Sequence, residues 1–162
     1  MHAVPQLAVS TLLLGGIYAL IAVGLTLIFG VMRVVNFAHG EFLMLAMYLA
    51  FWSFALLGLD PYVTLVLALP LVFGVGWLSY RLVMRPVVHA SHNVQVFTTV
   101  GLSIPLQNVA LVLWTADAQF IRTPYYSVVV RLGSAAFNLA QLVAFVIAVL
   151  ATAALFRFLR WS

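Results

Sequence analysis

Five long apolar runs alternate with short polar breaks along the chain, at about Leu7–Gly30, Phe42–Leu59, Tyr62–Tyr80, Val94–Thr115 and Asn138–Phe156. A helix needs about 20 apolar residues to cross a hydrocarbon core roughly 30 Å thick, and each run meets or approaches that length. The pattern predicts an all-α, polytopic membrane fold with five transmembrane helices. Turn chemistry marks the breaks: "GLDP" at 58–61 is a tight Gly/Pro corner, and "MRPVVHASHN" at 84–93 is a polar linker. Residues 117–137 carry Arg122, Pro124, Arg131 and Gly133 and are too interrupted for a span.

Composition agrees with a lipid solvent. The chain is 66% hydrophobic and 6% charged, against about 25% charged residues in a soluble domain. Its net charge of +4 comes from seven arginines and no lysine, too few and too scattered for a nucleic-acid footprint. Arg33, Arg81, Arg85, Arg157 and Arg160 follow the odd-numbered spans, whereas only Arg122 and Arg131 lie on the other side. Cytoplasmic loops collect positive charge, so the N-terminus is expected outside and the C-terminus inside. Trp114, Tyr125 and Tyr126 on one side, and Trp77, Tyr80 and Trp161 on the other, fall where interfacial aromatics are expected. The first apolar run has no positive segment before it and outlasts a signal-peptide core, so it reads as a retained span.

Several chemistries drop out. Without cysteine there is no disulfide or thiolate metal site. His89 and His92 form an H-x-x-H pair with no third ligand nearby in sequence. A Ser103/His39/Asp117 hydrolase would need His39 and Asp117 on one membrane face, and the topology separates them. No phosphate-binding loop is possible without a lysine, so nucleotide energy must come from a partner. The expectation is a chain with no catalytic residues, metal or cofactor.

Three features remain as candidate sites. Gly15, Ala19, Ala22, Thr26 and Gly30 recur at steps of three or four on the first span. Such a face admits a neighbouring helix closely, unless it only reflects membrane-helix composition. The fourth span carries Thr99, Ser103, Gln107 and Asn108, with Gln95 and Thr98, and is interrupted by Gly101 and Pro105. Polar groups of this kind belong in the protein interior, either lining a pathway or bonding helices together. Between the first two spans, "NFAHGE" places Asn36, Phe37, Ala38, His39, Gly40 and Glu41 in succession. A charge at the bilayer centre costs roughly 2.5–3.5 kcal/mol, so Arg33 and Glu41 are expected at the cytoplasmic edge. Asn36 would then cap the second helix, and Glu41 would sit in its first turn, favoured by the helix dipole. The turn is either this cap or a gate or docking surface.

The stretches "GGIYALIAVGLTLIFGVMRVVNFAHGEFLMLAMYLAF" (15–51) and "RLVMRPVVHASHNVQVFTTVGLSIPLQN" (81–108) closely resemble LivH-type permeases of branched-chain amino acid ABC importers. The resemblance implies a permease subunit in the bacterial inner membrane, forming part of the substrate pathway. It also implies a second, related permease, two cytoplasmic ATP-binding subunits and a periplasmic substrate-binding protein as partners. Asn36–Glu41 match the family's signature turn, and Arg85 and Pro86 begin its cytoplasmic linker. Residues 1–162 read as a single transmembrane permease domain, the N-terminal half of a longer permease. Urea and short-amide importers carry a similar "N-x-A-H-G" turn and form the neighbouring alternative; a truncated, non-transporting membrane protein is the other.

The arginine distribution makes one direct prediction. Single cysteines at positions 91 and 127, introduced as Ser91→Cys and Ser127→Cys, are expected to react with an impermeant thiol reagent in spheroplasts only at 127. Labelling at 91 alone would reverse the orientation.

Overall fold

The computed structural model describes residues 3–132 and 135–161; Gly133, Ser134 and the side chains of Ala3, Pro5, Met32, Tyr126, Arg131, Leu132 and Ala135 lie outside the described residues. Among those described, five helices are long and apolar enough to cross a membrane. They are α1 (Ala3–Met32), α2 (His39–Leu57), α3 (Pro61–Ser79), α4 (His92–Trp114) and α5 (Leu139–Trp161). Each coincides with one predicted run, with its ends moved by a few residues. α5 extends furthest beyond its apolar run, to Trp161; there Arg157 lies over the Trp161 ring, 5.0 Å from its centroid, and a long arginine stem is compatible with an apolar helix end. The chain divides into two compact units, Ile28–Ile121 and the pair of segments Met1–Leu27 and Arg122–Ser162.

In the Ile28–Ile121 unit, α2 and α3 pack as an antiparallel pair joined by the predicted corner. Gly58 adopts the left-handed conformation (φ 65°), and its N–H donates to the Phe54 carbonyl at 3.0 Å, closing α2. Asp60 then caps α3, its Oδ1 accepting from the Tyr62 N–H at 2.8 Å, with Pro61 at the first helical position. α3 does not stop at Ser79. It continues as a π-helical stretch, Tyr80–Met84, and a 3-10 turn, Arg85–Val87. Pro86 has no N–H and its ring would collide with the Leu82 carbonyl of a regular α-helix. The widened turn, in which the Arg85 N–H reaches the Tyr80 carbonyl, accommodates that. Arg81 lies over Trp77 at 5.2 Å from the ring centroid along this rod.

In the other unit, the broken segment holds structure that the sequence reading did not anticipate. After a 3-10 turn at Pro124–Ser127, β1 (Val129–Leu132) and β2 (Ala135–Asn138) form an antiparallel hairpin with Val130 opposite Phe137. Leu139 N–H to Val128 O, 3.0 Å, prolongs the ladder. Ala136 falls at an outward-facing position of that ladder, and the Gln6 side chain satisfies it. Gln6 Oε1 accepts from the Ala136 N–H at 2.6 Å, and Gln6 Nε2 donates to its carbonyl. This contact joins the start of α1 to the segment before α5, so an even number of crossings must separate them. Four helices lie between those points, which satisfies the parity.

α1 approaches α5 at Gly16. A Cβ there would run into the Phe145 ring, whereas one at the neighbouring Gly15 would have no atom within 4 Å. Gly16→Ala is therefore expected to be less stable than Gly15→Ala by about 1–3 kcal/mol. Denaturant unfolding of the isolated chain in detergent measures the difference, and Phe145→Ala in the same chain should remove most of it.

Candidate functional site

Everything singled out between α1 and α2 lies in a short helix break. Arg33 takes a left-handed conformation (φ 54°) at the end of α1, and residues 33–36 are non-helical. Val34 and Ala38 are 2% and 0% exposed, so the break is buried at these two positions, while Arg33 is exposed. Asn36 shapes the bend but does not cap α2 as expected. Its Oδ1 accepts from the Ala38 N–H at 3.0 Å, its carbonyl accepts from His39 N–H at 3.2 Å, and Ala38 occupies the cap position without a side-chain bond. An Asx turn two residues early has replaced the cap, since Asn favours its own local backbone bond. Ala38 contributes its carbonyl to Glu41 N–H and Phe42 N–H, while Phe37 and Gly40 are exposed. Glu41 is in the first turn of α2, as expected.

The polar stripe of α4 runs alongside this break. Gln95, Thr99, Ser103 and Gln107 are spaced by four and share one face. Gln95 is buried and donates to the Val88 and Ala90 carbonyls (2.8 and 3.3 Å), fastening the linker after Arg85 and Pro86, which are themselves exposed. Thr99, fully buried, donates to Val35 O at 3.2 Å and to Val96 O at 2.9 Å. Ser103 is buried and bonds to Val100 O at 2.8 Å. Gln107 Nε2 donates to Glu41 Oε1 at 2.6 Å, and Asn108 Nδ2 to Ile104 O at 2.8 Å, both on an exposed face. The structure thus brings Gln107 to Glu41 of the signature turn and Thr99 to Val35 just before it, leaves Ser103 inside the unit and turns Asn108 outward.

These bonds fix the level of the turn. Tyr48 stacks on Trp114 with centroids 4.4 Å apart and planes 20° from parallel, two turns beyond Glu41 and Gln107 on parallel helices. From the Glu41–Gln107 bond, α4 continues about 22 Å back to His92, and α2 about 24 Å onward to Leu57. Along the α2–α4 pair Glu41 therefore stands about midway between those two helix ends. The break between α1 and α2 runs along α4 from Thr99, bonded to Val35, to Gln107, bonded to Glu41.

Beside the break lies a cavity of about 460 Å³, lined by Asn36, His39, Trp77, Tyr80 and Leu102 among others. Among the described residues, the small-residue face of α1 is open. Gly15 and Gly30 have no atom within 4 Å of a would-be Cβ, and Ala19, Ala22 and Thr26 are exposed. Sequence reasoning missed Tyr48 and the Val35 carbonyl, because neither a lone aromatic in an apolar run nor a backbone acceptor leaves a signal in composition or period.

Five helices long and apolar enough to cross a membrane, with a polar face of α4 bonded to the break between α1 and α2, define a polytopic membrane protein. The family described as "Branched-chain amino acid transport system / permease component" matches residues 7–162, and the chain belongs to it. Among curated relatives, it is 36% identical over 103 residues to the "High-affinity branched-chain amino acid transport system permease protein LivH" of Escherichia coli strain K12, and equally to that of Salmonella typhimurium; the match covers 59% of this chain and 33% of each relative. It is 33% identical over 130 residues to the corresponding BraD protein of Pseudomonas aeruginosa, covering 75% of this chain and 42% of the relative. The chain thus spans about a third to two-fifths of the length of these relatives. No solved structure gives a significant match.

Thr99→Val keeps the shape and removes the bond to Val35 O, leaving a partly buried carbonyl short of a partner; a loss of about 1–3 kcal/mol is expected. Thr98→Val, which removes only a bond to Val94 O on its own helix, should change stability by less than about 0.5 kcal/mol. Denaturant unfolding of both variants in detergent makes the comparison.

Proposed function

We propose that this chain is the membrane-spanning permease subunit of an ATP-driven importer for branched-chain amino acids, and that the α4 face bearing Gln107 and Asn108 lines the substrate pathway. The observation that carries the reading is the 2.6 Å bond between Gln107 and Glu41, about midway along the α2–α4 pair. Polar and ionisable groups within spanning helices are costly against lipid and are characteristic of pathways. Membership of the permease family and the cargo named for its relatives supply the substrate class.

In this reading the chain is one permease domain in the bacterial inner membrane, N-terminus outside. A second, related permease covers the exposed faces, including the small-residue stripe of α1. Two cytoplasmic ATP-binding subunits hydrolyse the nucleotide, and a periplasmic binding protein delivers the cargo. The linker at Arg85 and Pro86 lies on the cytoplasmic side. The signature turn Asn36–Glu41 acts as the moving part of the pathway, because a helix break held by side-chain bonds re-forms more readily than a continuous helix.

Gln107→Leu and Asn108→Leu are expected to lower leucine uptake by the complete transporter about tenfold, with membrane abundance unchanged. His39→Gln should abolish both uptake and the stimulation of ATP hydrolysis by loaded binding protein, with assembly intact. Losses of abundance matching the losses of uptake would assign these residues to helix bonding instead.

A further inference from the structure

Of the chain's three acidic residues, Asp60 caps α3 and Glu41 accepts from Gln107, which leaves Asp117 for a different use. It lies just beyond the end of α4 at Trp114. Thr115, at the C-cap of α4, has φ 63° and ψ 179°, a region that a β-branched residue occupies only where its surroundings hold it there. From that position its hydroxyl donates to Asp117 Oδ2 at 2.9 Å. One carboxylate oxygen is thus held, and a carboxylate keeps further lone pairs for another donor.

The segment after α4 shares a cavity of about 620 Å³ with one face of α2. Asp117, Gln119 and Phe120 line it from the segment, and Met44, Met47 and Phe51 from the helix. None of its described lining residues carries a positive charge. The wall is mainly apolar, and it offers a carboxylate that accepts and a primary amide that also donates. That pairing is complementary to a zwitterion with an aliphatic body: the carboxylate suits an ammonium, the amide N–H suits a carboxylate, and thioethers adapt to branched shapes. An anionic lipid headgroup would be repelled by Asp117, and a metal ion would need more oxygens than one carboxylate and one amide supply. Within the permease reading, on which this inference rests, we propose that this cavity is a binding site for the free amino acid cargo. Asp117, oriented by Thr115, receives the α-ammonium, Gln119 receives the carboxylate, and the branched side chain lies among Met44, Met47 and Phe51.

The test uses the complete transporter carrying this chain, in nanodiscs and without binding protein, so that only the membrane subunits select the ligand. The chain has no cysteine, and Ala118→Cys places one thiol in the cavity wall, where its alkylation rate reports occupancy. Leucine should slow alkylation, and 4-methylpentanoate, which lacks the amine, should need about tenfold more to do so. Adding Asp117→Asn should raise the half-protecting concentration of leucine about tenfold and leave that of 4-methylpentanoate no higher. Unchanged protection by leucine in Asp117→Asn overturns the proposal. If that variant does not assemble, Gln119→Leu decides: it should weaken protection by leucine about tenfold and spare 3-methylbutylamine, which lacks the carboxylate. Equal effects on both compounds, or none, overturn the proposal there. Leucine uptake by the same Ala118→Cys transporter, with binding protein present, separates this site from the reading beneath it. Uptake without protection of the thiol overturns the site alone, whereas neither uptake nor protection removes the permease reading and the site with it.

Discussion

Lipid offers no hydrogen bonds, and the six residues between α1 and α2 leave the helix where lipid would otherwise surround them. The arrangement of the larger unit follows from that constraint. The break cannot borrow water, so Asn36 supplies an acceptor to Ala38, and Thr99 supplies a donor to Val35 across helices. Val34 and Ala38 are buried, and Val34 shares a cavity wall with Trp77 of α3 and Leu102 of α4. On α4 the polar stripe is buried at Gln95, Thr99 and Ser103. Only at Gln107 and Asn108 does the stripe reach an exposed face, and there it meets the one carboxylate of α2.

The spans themselves were legible, because twenty-residue apolar runs have few alternatives in a chain with so little charge. The α2–α3 corner was legible too: Gly58 and the Asp60–Pro61 pair each have a narrow conformational use, and both were realised. What periodicity could not give was height. The level of Glu41 depends on how far α2 slides along α4, a tertiary quantity fixed by the Glu41–Gln107 bond and the Tyr48–Trp114 stack. A cost argument applied to Glu41 alone could not include the Gln107 side chain that the neighbouring helix brings to it. Trp114 likewise fits an interfacial position by sequence and in fact stacks on a residue near the middle of α2.

Helix phase set a second limit. The steps of three and four along α1 selected Gly15, but the glycine in close approach is Gly16, turned by one residue around the helix. Small residues tell where a backbone can come near, not which of two adjacent ones does. The hairpin at 129–138 escaped for a different reason. Its charged and glycine residues argued correctly against a span, and the two short β-prone runs around Gly133 and Ser134 were read only as the remainder.

The bond between Gln6 and Ala136 spans nearly the whole chain, and that has a consequence for biogenesis. Ribosomes add about 5–20 residues per second, so Gln6 emerges roughly 6–26 seconds before its partner exists. During that interval α1 must be held in the membrane by its apolarity alone, with its amide served by water at the surface. Closure of this contact is consequently a late assembly event, completed only after four helices have been threaded and their order can no longer be revised.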